Sequence, residues 1–318
     1  MFFSIIIPVY NRPDEIEVLV QSLRKQTYKD FEVILVEDGS SLSCKHVFEK
    51  HRLHLQLFYL EQKNSGQGFA RNLGIRKSKG DYFVFFDSDC QVPAGYLESL
   101  KNAIQSRKLD AHGGPDDAAE AFSPWQKAMN FSMTSLWTTG GIRGNVKDPS
   151  RYQARGFNMG FSKEVYQQIG GFIHPNMAED IEISMRIKKA GFKLELVKEA
   201  FVYHRRKNDF FSFIRQGFQF GRNRVFIRRY HPEAVKWVHL LPLLFLLGVL
   251  FLPLAVIFSP IIAGIFLMVY VVWTVLVFIA GATQYRSLLV GSLAILTSYG
   301  QLFGYGAGVL MEFAKPGK

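Results

Sequence analysis

Residues 240–258 and 261–283 carry no formal charge, and these two stretches constrain the chain more than any other feature. A helix crossing a bilayer needs about 20 predominantly apolar residues, and each stretch supplies them. Ser259-Pro260 between them is the length of a tight turn, so the pattern predicts two antiparallel spans at about 238–258 and 261–283. A third candidate, 287–311, is more polar, holding Ser298, Tyr299, Gln301 and several glycines, which permit close helix packing in lipid. A third crossing would put Lys315 and Lys318 on the far side of the membrane, against the tendency of basic residues to stay on one side.

Charge sharpens this picture. The 318 residues carry a net +11, spread unevenly: residues 1–200 contribute +2, residues 201–236 contribute +7 and residues 237–318 contribute +2. An evenly basic nucleic-acid surface is therefore a poor explanation. The +7 stretch lies directly before the first span and places the large N-terminal region in the cytoplasm. Within it Phe210, Phe211, Phe213, Ile214, Phe218 and Phe220 interleave with Arg215, Arg222, Arg224, Arg228 and Arg229. That composition predicts an interfacial amphipathic helix whose arginines meet lipid phosphates on an anionic membrane surface. Cys44 and Cys90 are the only cysteines, too few for a disulfide framework or a thiolate metal site. The expected organisation is a domain at 1–204, a basic juxtamembrane segment at 205–236 and a membrane region at 237–312.

Across the first 200 residues short apolar runs alternate with helical periodicity. Strands are expected at 3–8, 31–36, 55–60, 82–86, 155–161, 193–197 and 201–204, and helices at 13–26, 66–77, 163–169 and 179–190. This is the signature of an α/β fold with a parallel sheet, whose ligands collect at the carboxyl ends of the strands. There the sequence places Tyr10, Asn11 and Arg12, then Glu37 and Asp38, then Asp87 and Asp89. Clustered carboxylates repel unless a cation joins them, and an Asp-x-Asp ending a buried Phe-Val-Phe-Phe run has no structural requirement. A hard divalent ion is the natural companion.

Pro8, Tyr10 and Asn11, then Asp38-Gly39-Ser40, Ala70-Arg71-Asn72, Asp87-Ser88-Asp89, Gly156-Phe157-Asn158, Gly170-Gly171-Phe172 and Glu179-Asp180 follow one another in fixed order. This series resembles the family 2 inverting glycosyltransferases of GT-A fold, over about residues 3–225. The membrane tail is similar to that of bacterial exopolysaccharide enzymes of the succinoglycan type. The resemblance implies that Pro8, Tyr10, Asn11, Asp38, Arg71, Asp87, Gly156 and Asn158 bind a nucleotide-sugar, with Tyr10 stacking on the base and Arg71 facing the diphosphate. It further implies that Asp89, with Asp87 and His204, holds Mn2+ or Mg2+, that Asp180 is the catalytic base and that Glu179 orients the acceptor. The implied reaction moves one sugar, from a UDP-sugar by default, onto a lipid-linked or polyprenyl-phosphate acceptor at the bacterial cytoplasmic membrane. The segment 172–178 is expected to close over the donor.

Three other readings compete. Gly66-Gln67-Gly68 nearly fits a dinucleotide fingerprint, but Arg71 replaces its last glycine. A processive polysaccharide synthase would carry Gln-x-x-Arg-Trp, whereas Gln219-Phe220-Gly221-Arg222-Asn223 lacks the tryptophan. A catalytically dead membrane scaffold leaves the intact Asp38, Asp87, Asp89 and Asp180 without a purpose.

Overall fold

A computed structural model describes residues 1–117, 123–139, 148–204 and 209–315, apart from the side chains of Arg151 and His204. The chain forms two compact units, one of Met1–Asp117 with Val146–Arg205 and one of Ala118–Asn145 with Arg206–Lys318. The expected first boundary, at 204, falls one residue from the third exchange between units, at Arg205 and Arg206. The segment Ala118–Asn145, which periodicity alone leaves inside the N-terminal domain, belongs instead with the helices.

The first unit contains β1 (Phe3–Val9), α1 (Pro13–Arg24), β2 (Phe31–Asp38), α2 (Lys45–His51), β3 (Leu57–Gln62), α3 (Gln67–Lys77), β4 (Tyr82–Phe86), β5 (Cys90–Gln91), α4 (Tyr96–Arg107), β6 (Ala111–Gly113) and β7 (Asp116–Asp117). After the excursion come β8 (Asn158–Ser162), α7 (Lys163–Ile169), α8 (Glu179–Lys189), β9 (Leu194–Leu196) and β10 (Val202–His204). Seven strands make the main sheet, in the order β3-β2-β1-β4-β8-β6-β9, and β5-β10-β7 make a smaller one.

β1, β2 and β4 are apolar on both faces because helices cover both, which is why they read as continuous runs rather than alternations. On α1, Pro13 opens the first turn and Ile16, Leu19, Val20 and Leu23 turn into the core, one helical stripe. The expectation of a parallel sheet holds for β3, β2, β1 and β4 and fails at β8, which runs antiparallel to both β4 and β6. A parallel neighbour needs a crossover connection, commonly a helix. The segment that could have supplied one, Ala118–Asn145, is committed to the other unit.

The second unit contains α5 (Pro124–Thr134), α6 (Leu136–Thr139), α9 (Phe210–Phe226), α10 (Leu241–Phe258), α11 (Pro260–Tyr285) and α12 (Leu288–Phe313). The last three are long and apolar enough to cross a membrane. Pro260 sits at the first position of α11, with Ser259 accepting a hydrogen bond from the Ile262 N–H, so the expected turn is also a helix cap.

Candidate active site

Strands β2, β1 and β4 are parallel neighbours, so their carboxyl ends open side by side. Pro8 is half-buried inside β1, and Tyr10, just beyond it, is 53% exposed. Asn11 takes a left-handed φ of 54°. Its N–H donates to Ser40 Oγ at 2.8 Å and its Oδ1 accepts from the Leu42 N–H at 2.8 Å, lacing the loop after β1 to the loop after β2. The ring is thus presented on a fixed backbone.

Asp38 is buried and accepts from Gln62 Nε2 (2.6 Å), the Ser65 N–H (2.9 Å) and the Gly66 N–H (2.8 Å). An ionised carboxylate has about four acceptor positions, and the protein takes three of them. The other amides opening α3 are also used: Gln67 donates to Asn176 Oδ1 (3.0 Å) and Gly68 to the Pro175 carbonyl (2.7 Å). The near-fingerprint at Gly66 therefore cradles protein rather than a dinucleotide phosphate. Phe172 is tied to Asn72 in both directions, at 2.7 and 2.8 Å, so the segment 172–178 is fastened to α3 at Phe172 as well as at Pro175 and Asn176.

The carboxylates meet at Arg71. Its side chain, on α3, has no exposed surface, and it donates to Asp87 Oδ1 (2.8 Å), Glu179 Oε1 (3.2 Å) and the Gly156 carbonyl (3.4 Å), with Phe172 5.4 Å beneath the guanidinium. A Cβ at Gly156 would lie 2.8 Å from an Arg71 terminal nitrogen, so any larger residue there would displace the guanidinium. Two carboxylates and a carbonyl thus hold Arg71, expected to face the diphosphate, inward in this structure.

Opposite β4, Glu179-Asp180 open α8, where the positive end of the helix dipole favours acids. Ala178 immediately before them adopts a left-handed φ of 54° while buried. Asp180 Oδ2 accepts from the Gly156 N–H at 3.2 Å, and Gln67 Nε2 donates to Glu179 at 2.5 Å. Burial and the adjacent Asp180 carboxylate push the Glu179 carboxyl up to about 7, against the pull of Arg71. One guanidinium thus joins the strand-end acid Asp87 to the helix-opening acid Glu179.

Asn158, expected to touch the donor, is instead fully buried: its Oδ1 accepts from Tyr96 OH (2.6 Å) and its Nδ2 donates to the Ala200 carbonyl (2.8 Å). It sits in a core network with His112, whose two ring nitrogens lie 3.0 and 3.1 Å from Tyr82 and Tyr96. Burial drives that imidazole down to about 3, so it stays neutral. Sequence reading placed Arg12, whose Nη1 reaches Asp89 Oδ2 at 3.2 Å, at the strand end but gave no role to it or to Gln67, which donates to Glu179. The only signal for Arg12 is its place just beyond β1.

Comparisons with known proteins bear directly on this arrangement. The model of "Glycosyl transferase family 2" matches residues 4–170, more than half of the chain. The chain belongs to glycosyl transferase family 2. It is 26% identical to the glycosyltransferase AglE of Haloferax volcanii, over 79% of this chain and 82% of that one. It is also 42% identical to an uncharacterized glycosyltransferase of Rickettsia bellii, over 27% of this chain and only 12% of the longer relative. A solved mannosyltransferase from Pyrobaculum calidifontis, in complex with GDP-Man and Mn2+, superposes over 95% of this chain and 87% of its own with a TM-score of 0.66 at 17% identity. That similarity establishes the GT-A-like fold.

In this family 2 glycosyltransferase, Asp87 and Asp89 follow β4, and β10 pairs antiparallel with β5 so that His204 stands opposite Cys90, one residue beyond Asp89. The His204 side chain lies outside the described residues. Among the described residues, no three His, Cys, Asp or Glu side chains are gathered as a metal cluster. Two hard carboxylates at one strand end still fit a divalent cation that completes its shell with phosphate oxygens and water.

The basic segment forms α9 as the aromatic spacing predicts, and its arginines divide. Arg215, Arg228 and Arg229 are exposed. Arg222 and Arg229 pair with Glu312 at 3.3 and 3.2 Å, and Arg228 lies over the Phe313 ring at 4.9 Å. Arg224, expected to meet lipid phosphates, is buried.

Proposed function

We propose that the protein is a metal-dependent inverting glycosyltransferase that moves one sugar from a nucleotide-sugar to a hydroxyl of a lipid-linked acceptor, working in the cytoplasm at the bacterial inner membrane. The observation that carries this reading is the joining of Asp87 to Glu179-Asp180 through buried Arg71, in a chain of family 2 with three apolar C-terminal helices. Asp87 and Asp89, with His204 beside them in register, would hold the cation, which when bound neutralises the departing nucleoside diphosphate. Tyr10 offers an exposed ring for the base, and Asp38 retains one acceptor position for a base N–H. Asp180, steadied by the Gly156 amide, takes the proton of the acceptor hydroxyl. Glu179 and Arg71 fix the base relative to the strand-end acids.

A single displacement needs one base and inverts the anomeric centre. Uridine is the default nucleobase, and the fold neighbour's GDP-Man makes guanosine donors the natural second arm. The acceptor is a lipid-linked saccharide, or polyprenyl phosphate itself, of the kind used in cell-surface polysaccharide synthesis.

The test incubates the full chain in membranes with UDP- and GDP-sugars, with manganese or EDTA. Turnover should require the metal, and Asp180→Asn should lower kcat by about 10^2- to 10^4-fold while nucleotide-sugar binding persists. Full activity in Asp180→Asn, or turnover indifferent to EDTA, would sink the reading.

A further inference from the structure

α12 is long enough to cross a membrane, yet its contacts place both of its ends on one side. At its start, α10 and α11 form a hairpin, with the turn at Ser259 far from the α10 start. The end of α11 therefore returns to the side from which α10 departs. α12 follows after only Arg286 and Ser287, so it begins on that side.

At the other end, α9 runs beside α12 in the same direction, backbone against backbone. A Cβ on Gly300 would meet Phe210 and Ile214, one on Gly304 would meet Ile214 and Phe218, and one on Gly308 would meet Phe218 and Arg222. The run ends where Glu312, buried, is clasped by Arg222, Arg229 and Lys315, the last at 2.8 Å. From Arg229 the chain needs only 11 residues to reach Leu241, the first residue of α10. Gly306 of α12 abuts Pro242 and Leu243, and Tyr299 and Phe303 contact Phe245. The C-terminal end of α12 thus lies at the beginning of α10, among the cations that precede it.

The two halves of α11 show the same division. Tyr270 and Trp273 stand beside Phe245, so the last three turns of α11 rise beyond the start of α10. One face of that upper part is covered by protein, where Ala128 and Phe131 of α5 pack with Val277, Val290 and Ala294 and Ser132 contacts Thr297 (2.6 Å) and Ser298 (3.1 Å), while Ile279, Leu288 and Leu289 stay exposed. Below it, Leu250, Leu254, Ile257, Phe258, Ile261 and Met268 are bare. Half of the most apolar stretch of α12 is buried against protein, whereas the figures for the first two candidates are 6% and 11%.

We propose that only α10 and α11 cross the bilayer, and that α9 and α12, with α5, form a helical platform in the headgroup layer at the base of that hairpin. The surplus of Arg222, Arg228, Arg229 and Lys315 over Glu312 suits the phosphates of an anionic lipid leaflet. The C-terminus then stays on the side from which α10 departs. This rests on the membrane reading above, and the test separates the two.

Single cysteines are introduced as Lys236→Cys, Ser259→Cys and Lys315→Cys in the full chain, whose own Cys44 and Cys90 are buried. Sealed vesicles of each orientation are treated with a membrane-impermeant maleimide. Lys236→Cys and Lys315→Cys should label from one side and Ser259→Cys from the other. Labelling of Lys315→Cys from the Ser259 side, or from neither side, overturns the platform and leaves the hairpin standing. Labelling of Ser259→Cys from the Lys236 side means that the hairpin does not cross, and then the membrane reading itself fails.

Discussion

Glu179 is held by opposing forces: burial and Asp180 favour its protonated form, while Arg71 and its own backbone N–H favour the ionised one. With its folded pKa raised to about 7 from an ordinary 4.5, the folded state binds the proton more tightly than the unfolded chain. The resulting stabilisation is fully present below about pH 4.5 and is lost as pH rises through about 7. At about 1.4 kcal/mol per unit, the α/β unit should lose on the order of 3 kcal/mol across that window. Hydrogen exchange of the β4 amides between pH 5 and 8 measures it, and Glu179→Gln should flatten the dependence. An unchanged slope in Glu179→Gln would show that Arg71 keeps the carboxylate ionised throughout. At this scale much of the site was legible. Asp87-Ser88-Asp89 and Glu179-Asp180 are contiguous acids at element ends, where no packing argument asks for them. The inward turn of Arg71 was not legible, because its partners Asp87 and Glu179 lie 16 and 108 residues away. Asn158 failed for a related reason, since a buried amide and a ligand-binding amide read alike until Tyr96 and Ala200 are placed around it.

Elements were readable in proportion to how much one neighbour decides their pattern. β1, β2 and β4 carry apolar runs because both faces are covered, and α1 shows one stripe because one face is. The direction of β8 had no sequence signal, because it depends on where the chain travels between residues 118 and 145. The α9–α12 contact was half visible: the aromatic spacing of α9 and the glycines of α12 both stood out, but their pairing did not. That pairing makes a prediction. A Cβ at Gly308 would fall on the Phe218 carbonyl oxygen, so no side chain fits without separating the helices. Gly308→Val should destabilise the helical unit by roughly 2–3 kcal/mol, as overpacking does. Gly264, on bare α11 with nothing within 4 Å, tolerates alanine. Thermal unfolding in detergent, followed by the four tryptophans, compares the two variants. All four, Trp125, Trp137, Trp237 and Trp273, belong to that unit. Equal midpoints for Gly308→Val and Gly264→Ala would contradict the close packing of α9 on α12.

At the scale of the whole molecule, the chain leaves the α/β unit, builds part of the helical unit with Ala118–Asn145, returns, and leaves again at Arg206. Periodicity sees helices one at a time and has no means of assigning α5 to a partner more than 150 residues ahead. The consequence is physical: Ala128, Met129, Phe131 and Met133 are buried by groups that a chain ending at residue 205 would lack. The 1–205 fragment should therefore expose an apolar face on α5 even if its sheet folds. It carries only Trp125 and Trp137, so its fluorescence reports that segment alone. The expected result is association with liposomes, with a blue-shifted emission, or aggregation in their absence. The triple variant Met129→Ser, Phe131→Ser, Met133→Ser should remain monomeric and unbound. A monomeric 1–205 fragment whose emission is insensitive to liposomes would mean that α5 covers its own apolar face, and that the two excursions into the helical unit are not coupled in folding.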